Sequence, residues 1–265
     1  MGKKEKDSGK CEFPKDIPKE FERVIRSLSY GRSLWQVWSD FLYVSAVSMA
    51  NTFPTAEREE REKEYLSIIG RYSKEEQELL AQLFAFVTLA LEKNPEQDFL
   101  GSMYHRLNLQ QEQKGQFFTP YHISHFMAEI QFAGDDDVEK MLGEKGYISV
   151  GDPACGAGAM LIAFANVARK HGINYQQNVL FEAQDIDRTT ALMCYIQLSL
   201  LGCPAIVIIG DSLLKPGMHP DNDVWFTLFY YLNHWRFQDK SNKKADFNLK
   251  ENPDGQLAFR LDEIA

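Results

Sequence analysis

Residues equipped to hold a small ligand cluster between Asp152 and Asp211. Asp152-Pro153-Ala154-Cys155-Gly156-Ala157-Gly158 follows a β-rich run, Tyr147 to Val150, and precedes a helical pattern from Gly158 to Lys170. Gly156 and Gly158 let the backbone turn tightly and come close to a ligand. The helix behind them presents free N–H groups and the positive end of a dipole. Two further acids follow strand-like runs. Gln184-Asp185-Ile186-Asp187 comes after Asn178 to Ala183, and a carboxylate there can accept hydrogen bonds from ribose hydroxyls. Gly210-Asp211-Ser212 comes after Ala205 to Ile209, where a carboxylate can accept from the exocyclic amine of adenine. Three acids in register at three successive strand ends read jointly as an adenosine pocket.

The electrostatics narrow the ligand. The nicotinamide fingerprint places a small third residue three positions after its second glycine, and here that position is Leu161. Asp152, at the start of the loop, would repel a pyrophosphate. An amino-acid-bearing cofactor with a positive sulfonium tolerates the acid, which favours S-adenosylmethionine over a dinucleotide.

The elements that must position these residues alternate as strand, helix, strand, helix, strand from Tyr147 to Ile209. Thr189 to Leu201 is the second helix, closed by Gly202. This order predicts an α/β fold with a parallel sheet and right-handed crossovers. Upstream, residues 16–110 read as a helical N-terminal domain. Leu34, Trp35, Val37, Trp38, Phe41, Leu42 and Met49 recur at helical spacing. Ala56 to Tyr65 reads as a solvated helix. Ser73 and Glu76 form a capping box ahead of a helix that runs to about Lys93, where Asn94-Pro95 ends it. Thr119-Pro120 reads as an N-cap with proline at the first helical position, followed by an apolar stripe of Ile123, Phe126, Met127 and Ile130. Val224 to Leu232 is one more apolar element, either a buried strand or a helix, with its length and its aromatic and β-branched content favouring the strand. Residues 1–15 read as a disordered basic tail, 111–237 as the ligand-binding core and 238–265 as a polar C-terminal segment.

Composition sets the outer limits. The chain has 265 residues, 44% hydrophobic and 25% charged, with a net charge of -9. That balance suits a globular protein and argues against generic, charge-driven binding of nucleic acid. Cys11, Cys155, Cys194 and Cys203 show neither a CxxC pair nor zinc spacing. They fit a reduced protein of the cytoplasm, with Cys155 and Cys194 as small apolar packers. No apolar run approaches the ~18 residues of a membrane span, and the charged N-terminus is no signal peptide. His122 and His125 lie three apart on a helix, but no third ligand with suitable spacing follows, so no metal site is expected.

Four motifs in order carry a family resemblance: Gly115-Gln116-Phe117-Phe118-Thr119-Pro120, the run from Asp152 to Leu161, the run from Ala183 to Asp187, and Gly210-Asp211-Ser212-Leu213. Together they resemble adenine-specific DNA methyltransferases, and above all the modification subunit of type I restriction–modification systems. The resemblance implies a Rossmann-like, S-adenosylmethionine-dependent methyltransferase fold. It implies that Phe118, Thr119 and Pro120 close over the methionine end of the cofactor, and that Asp152, Ala154, Gly156 and Gly158 shape the loop beneath it. It gives the ribose hydroxyls to Asp185, the adenine amine to Asp211 and the adenine face to Leu213. DNA is the implied substrate, and a partner methyltransferase or specificity subunit the implied partner.

The family also carries an Asn/Asp-Pro-Pro-Tyr/Phe motif after a fourth strand, which receives the target adenine and stacks on the flipped base. This sequence has no Pro-Pro dipeptide. Asn252-Pro253-Asp254-Gly255 is the nearest candidate, and it reads as a surface turn. The expected core is therefore a truncated one. Two readings stay open: a methyltransferase acting on adenine in DNA, or a catalytically silent relative that binds cofactor and serves as a regulatory or partner-binding module.

Overall fold

In the computed structural model, the structure describes residues 14–109, 118–132, 140, 142–237, 250–251 and 257–258. The expected basic tail (to residue 13), Cys11, Gly115, Gln116, Phe117, Asn252 and Pro253 lie outside the described residues.

Five helices come first: α1 (Ile17–Leu28), α2 (Leu34–Ala50), α3 (Arg58–Ile69), α4 (Lys74–Lys93) and α5 (Phe99–Arg106). Their starts are written in the sequence. Asp16 accepts from the Lys19 amide, Ser33 from the Gln36 amide, and Ser73 and Glu76 close the capping box on α4. α2 is buried almost all round, with Trp38, Phe41 and Leu42 fully inaccessible. α3 is not purely the solvated helix its charges suggest. Arg61 is buried, donates to Asp223 Oδ1 at 2.7 Å and to the Val224 carbonyl at 2.9 Å, and lies 3.9 Å over the Trp225 ring. Its charge is met by a carboxylate, a carbonyl and an aromatic face, which is how a buried guanidinium is kept.

α6 (Tyr121–Phe132) then precedes β1 (Ile148–Asp152), α7 (Ala159–Lys170), the short α8 (Tyr175–Asn178), β2 (Val179–Asp185), α9 (Arg188–Leu200) and β3 (Ala205–Ile209). β1, β2 and β3 pair in parallel in that order. This is one half of a doubly wound sheet. Val179, Phe181, Ala183, Ala205 and Val207 point to the face that carries α7 and α9, and they join one apolar core with the five leading helices. Leu180, Ile206 and Ile208 point to the other face, against Val224, Phe226 and Tyr230.

The last apolar run divides. Asp223–Phe226 forms β4, and Leu228–Phe237 forms α10, so the element over 224–232, for which the sequence favours strand over helix, is half of each. β4 runs antiparallel to β3, pairing Ile206 with Phe226 and Ile209 with Asp223. The free edge of β1, where a doubly wound sheet adds its fourth strand, has no strand beside it among the described residues. β5 (Lys250–Glu251) and β6 (Leu257–Ala258) form a separate ribbon.

α6 inverts its expected orientation. Ile123, Phe126, Met127 and Ile130 are exposed, at 42% to 63%, while Ser124, Ala128 and Phe132 are buried. Small side chains at Ser124 and Ala128 let α6 approach α7 closely, and that contact decides which face turns inward.

Candidate functional site

The carboxyl edge of β1, β2 and β3 gathers the residues singled out above. β1 ends at Asp152 and hands over to the glycine loop. The Cys155 amide donates to the Gln184 carbonyl at 3.0 Å, and the Gly158 amide to the Cys155 carbonyl at 2.8 Å, which folds the loop back onto β2. Gly156 and Gly158 both have positive φ, +53° and +91°. A Cβ on Gly156 would stand 2.9 Å from the Phe118 ring, and one on Gly158 2.7 Å from Cys194 Sγ. Glycine is thus required at both positions twice over, for conformation and for room.

Asp185 fastens the loop. Its Oδ2 accepts from the Gly156 amide at 2.8 Å and its Oδ1 from the Asp187 amide at 2.9 Å. Asp187 in turn caps α9 through the Thr190 amide. Asp152 accepts from the Ala154 amide at 3.1 Å. Burial, and then the nearby charge of Asp185, push the Asp152 carboxyl above the ordinary aspartate value. The loop therefore carries two neighbouring carboxylates, Asp152 and Asp185, a setting suited to a positively charged ligand. Behind it, the neighbouring Cys194 thiol, and then burial, hold the Cys155 thiol well above the ordinary range. That fits the packing role expected of both cysteines.

Asp211 closes the arc. Its Oδ1 accepts from the Leu213 and Leu214 amides at 2.9 and 3.1 Å. Leu213 itself is 91% exposed, so an apolar side chain stands open to solvent beside Asp211. Two amides that sequence reasoning gave no role organise this loop. Gln184 donates to the Gly210 and Lys215 carbonyls and accepts from the Gly217 amide, and Asn222 donates to the Lys215 and Gly217 carbonyls. Gln184 carried a readable signal, an amide inside the motif at the end of β2; Asn222 carried none.

Phe118 lies against Gly156, with its ring centroid 5.1 Å from Tyr104 and 5.4 Å from His105. Thr119 and Pro120 are exposed beside it, and the Pro120 carbonyl accepts from the Ser124 amide at the start of α6. His122 is exposed, and His125 Nε2 lies 3.0 Å from Lys170 Nζ.

The segment after β4 is elsewhere. Because β4 runs antiparallel, its chain leaves at the amino edge of the sheet. There Thr227 Oγ1 accepts from the Ala205 amide at 2.9 Å and donates to the Cys203 carbonyl at 2.7 Å, and Asn233 donates to the Gln176 carbonyl. Thr227 and the aromatics behind it are thus separated from the glycine loop by the length of β3, about 13 Å.

The family profile of N-6 DNA methylases matches residues 95–262. A type I restriction enzyme MjaVIII methylase subunit from Methanocaldococcus jannaschii is 33% identical over 106 residues, 39% of this chain, and the chain spans 16% of that relative's length. Among solved structures, one assigned as a class I S-adenosylmethionine-dependent methyltransferase from Listeria monocytogenes aligns at 14% identity, over 84% of this chain and 70% of its own, with a TM-score of 0.38. A type I restriction–modification methyltransferase subunit from Streptococcus thermophilus aligns at 16% identity, over 75% of this chain and 58% of its own, with a TM-score of 0.36.

Proposed function

This chain belongs to the N-6 DNA methylase family, and on that premise we propose that it binds S-adenosylmethionine at the carboxyl edge of β1, β2 and β3 and serves methylation of adenine N6 in DNA. One observation carries the reading: three aspartates stand at three successive strand ends around a glycine loop, and Asp185 holds that loop by the Gly156 amide. The set fits the cofactor. A sulfonium finds a carboxylate at Asp152, a ribose one at Asp185, and an adenine an acceptor at Asp211 and an exposed apolar side chain at Leu213. When bound, the cofactor supplies a methyl group on sulfur, ready for a nitrogen nucleophile.

In this assignment Asp152, Ala154, Gly156 and Gly158 shape the floor under the methionine end, and Phe118, Thr119 and Pro120 cover it. Asp185 takes the ribose hydroxyls, Asp211 the adenine amine and Leu213 the adenine face. Residues 16–110 act as the helical domain that braces the core formed by residues 111–237. DNA is the substrate, and a second methyltransferase chain or a specificity subunit the partner. No helix among the described residues is long and apolar enough to cross a membrane, and the site of action is the cytoplasm.

Two substitutions probe the pocket. Asp211→Ala removes an acceptor for the adenine amine and the turn it braces, and should weaken cofactor binding by roughly 1–3 kcal/mol in a calorimetric titration. Asp152→Asn tests the sign of the charge. A carboxyl whose pKa is raised by folding favours the fold most below the ordinary aspartate value, and that advantage is lost as pH rises through the raised pKa. The ligand-free Asp152→Asn protein should therefore melt at a higher temperature than wild type at pH 7. It should lose more affinity for S-adenosylmethionine, which carries the sulfonium charge, than for the neutral thioether S-adenosylhomocysteine. Equal losses for the two ligands would remove Asp152 from the sulfonium's surroundings.

The alternative of a catalytically silent relative is tested alongside, since β4 carries the segment after it away from the carboxyl edge of the sheet. On that reading the chain binds cofactor but leaves transfer to a partner. Incubation with methyl-labelled S-adenosylmethionine and DNA separates the two. Label in adenine supports transfer by this chain; saturable cofactor binding without label supports the second reading; no binding defeats both.

A further inference from the structure

Behind the glycine loop, two parts of the chain far apart in sequence meet through one buried amide. Gln197, in α9, is fully buried. Its Nε2 donates to the Ala157 carbonyl at 2.9 Å and to Asp98 Oδ1 at 2.8 Å, and its Oε1 accepts from the Leu100 amide at 3.1 Å. Asp98 is buried too, and caps α5 by accepting from the Gly101 amide at 2.8 Å. The carboxylate lies flat on the first turn of α5, since a Cβ on Gly101 would overlap it. Both protons and the oxygen of the Gln197 amide are thereby used, so its orientation admits no alternative.

The far side of the same loop is set by the same helix. Tyr104 and His105 of α5 pack on Phe118, and Phe118 covers Gly156. Ala157 sits between two glycines in left-handed conformations, where the backbone has little preference of its own. Fixing the Ala157 carbonyl fixes the 157–158 peptide plane and the entry into α7.

We propose that Asp98 and Gln197 are positioning residues of the cofactor loop, through which α5 sets the loop's underside at Ala157 while Tyr104 and His105 set its cover at Phe118. The inference rests on the cofactor reading above and goes beyond it by assigning the loop's shape to the helical part of the chain.

The test is calorimetric titration of the full chain with S-adenosylhomocysteine, alongside thermal unfolding. Gln197→Met keeps the volume and loses the amide; it should bind about tenfold more weakly. Asp98→Ser keeps a cap for α5 but is too short to reach Gln197, and should bind roughly threefold more weakly. Asp98→Asn keeps the acceptor and should stay within about twofold of wild type. Asn166→Leu is the control. It removes another buried amide, bonded to the Pro95 and Ile162 carbonyls and the Tyr121 hydroxyl, and should lower the melting temperature while leaving binding within about twofold. If Gln197→Met does not fold, Asp98→Ser decides alone. Lower melting temperatures with unchanged affinity in Gln197→Met and Asp98→Ser would make the pair ordinary core and overturn the proposal. Absence of binding by wild type would defeat the cofactor reading itself, and this proposal with it.

Discussion

Asp185→Ala should raise the dissociation constant for S-adenosylmethionine by about a hundredfold. The carboxylate accepts two backbone N–H groups, from Gly156 and Asp187. Hydrogen bonds to a charged acceptor contribute about 1.5–3 kcal/mol each, and these two hold the loop and the turn into α9 in their relative places. Their loss lets the Gly156 amide swing and unseats the Asp187 cap one turn away. The proposed ribose contact is lost in the same step. A hundredfold change corresponds to about 2.7 kcal/mol, less than the sum of the parts because the freed amides regain water. Asp185→Asn should fall between alanine and wild type, since its oxygen can serve one amide but not both. An alanine variant that binds within about threefold of wild type would show that the loop keeps its shape without Asp185.

Gly158→Ala should cost about 2–4 kcal/mol of folding stability, read from chemical denaturation. At φ +91° an L-residue pays roughly 1–2 kcal/mol over glycine. The new methyl would also stand 2.7 Å from Cys194 Sγ, in a core where overpacking costs about 1–3 kcal/mol. The two causes can be separated. Cys194→Ala in the Gly158→Ala background removes the sulfur and should recover part of the loss, leaving the conformational part. If the double variant is no more stable than Gly158→Ala alone, the sulfur contact is not the source.

Much of this architecture is legible before any coordinate. The capping box at Ser73 and Glu76, the three strand runs and the glycines at 156 and 158 are local signals, and local signals survive folding. What was not legible depends on contacts across the chain. The stripe of Ile123, Phe126, Met127 and Ile130 has core periodicity, yet α6 turns the opposite face inward because Ser124 and Ala128 allow a closer approach to α7. Arg61 reads as one more charge in a solvated helix until Asp223 and Trp225, some 160 residues later, arrive to meet it. The antiparallel course of β4 is invisible for a plainer reason: a buried strand has the same composition in either direction. Within the site, the three aspartates were marked by their place at strand ends. Of the amides that hold the loops, Gln184 at least lay inside a motif, while Asn222 and Gln197 were unmarked, because their partners lie in parts of the chain that no motif names.

The central claim is that this edge of the sheet is a pocket for S-adenosylmethionine, and calorimetric titration of the purified chain with that ligand tests it most directly. Saturable one-to-one binding is expected, with a dissociation constant on the order of micromolar that Asp185→Ala raises about a hundredfold and Asp211→Ala also raises. No saturable heat at millimolar ligand, or binding that both substitutions leave unchanged, would contradict it.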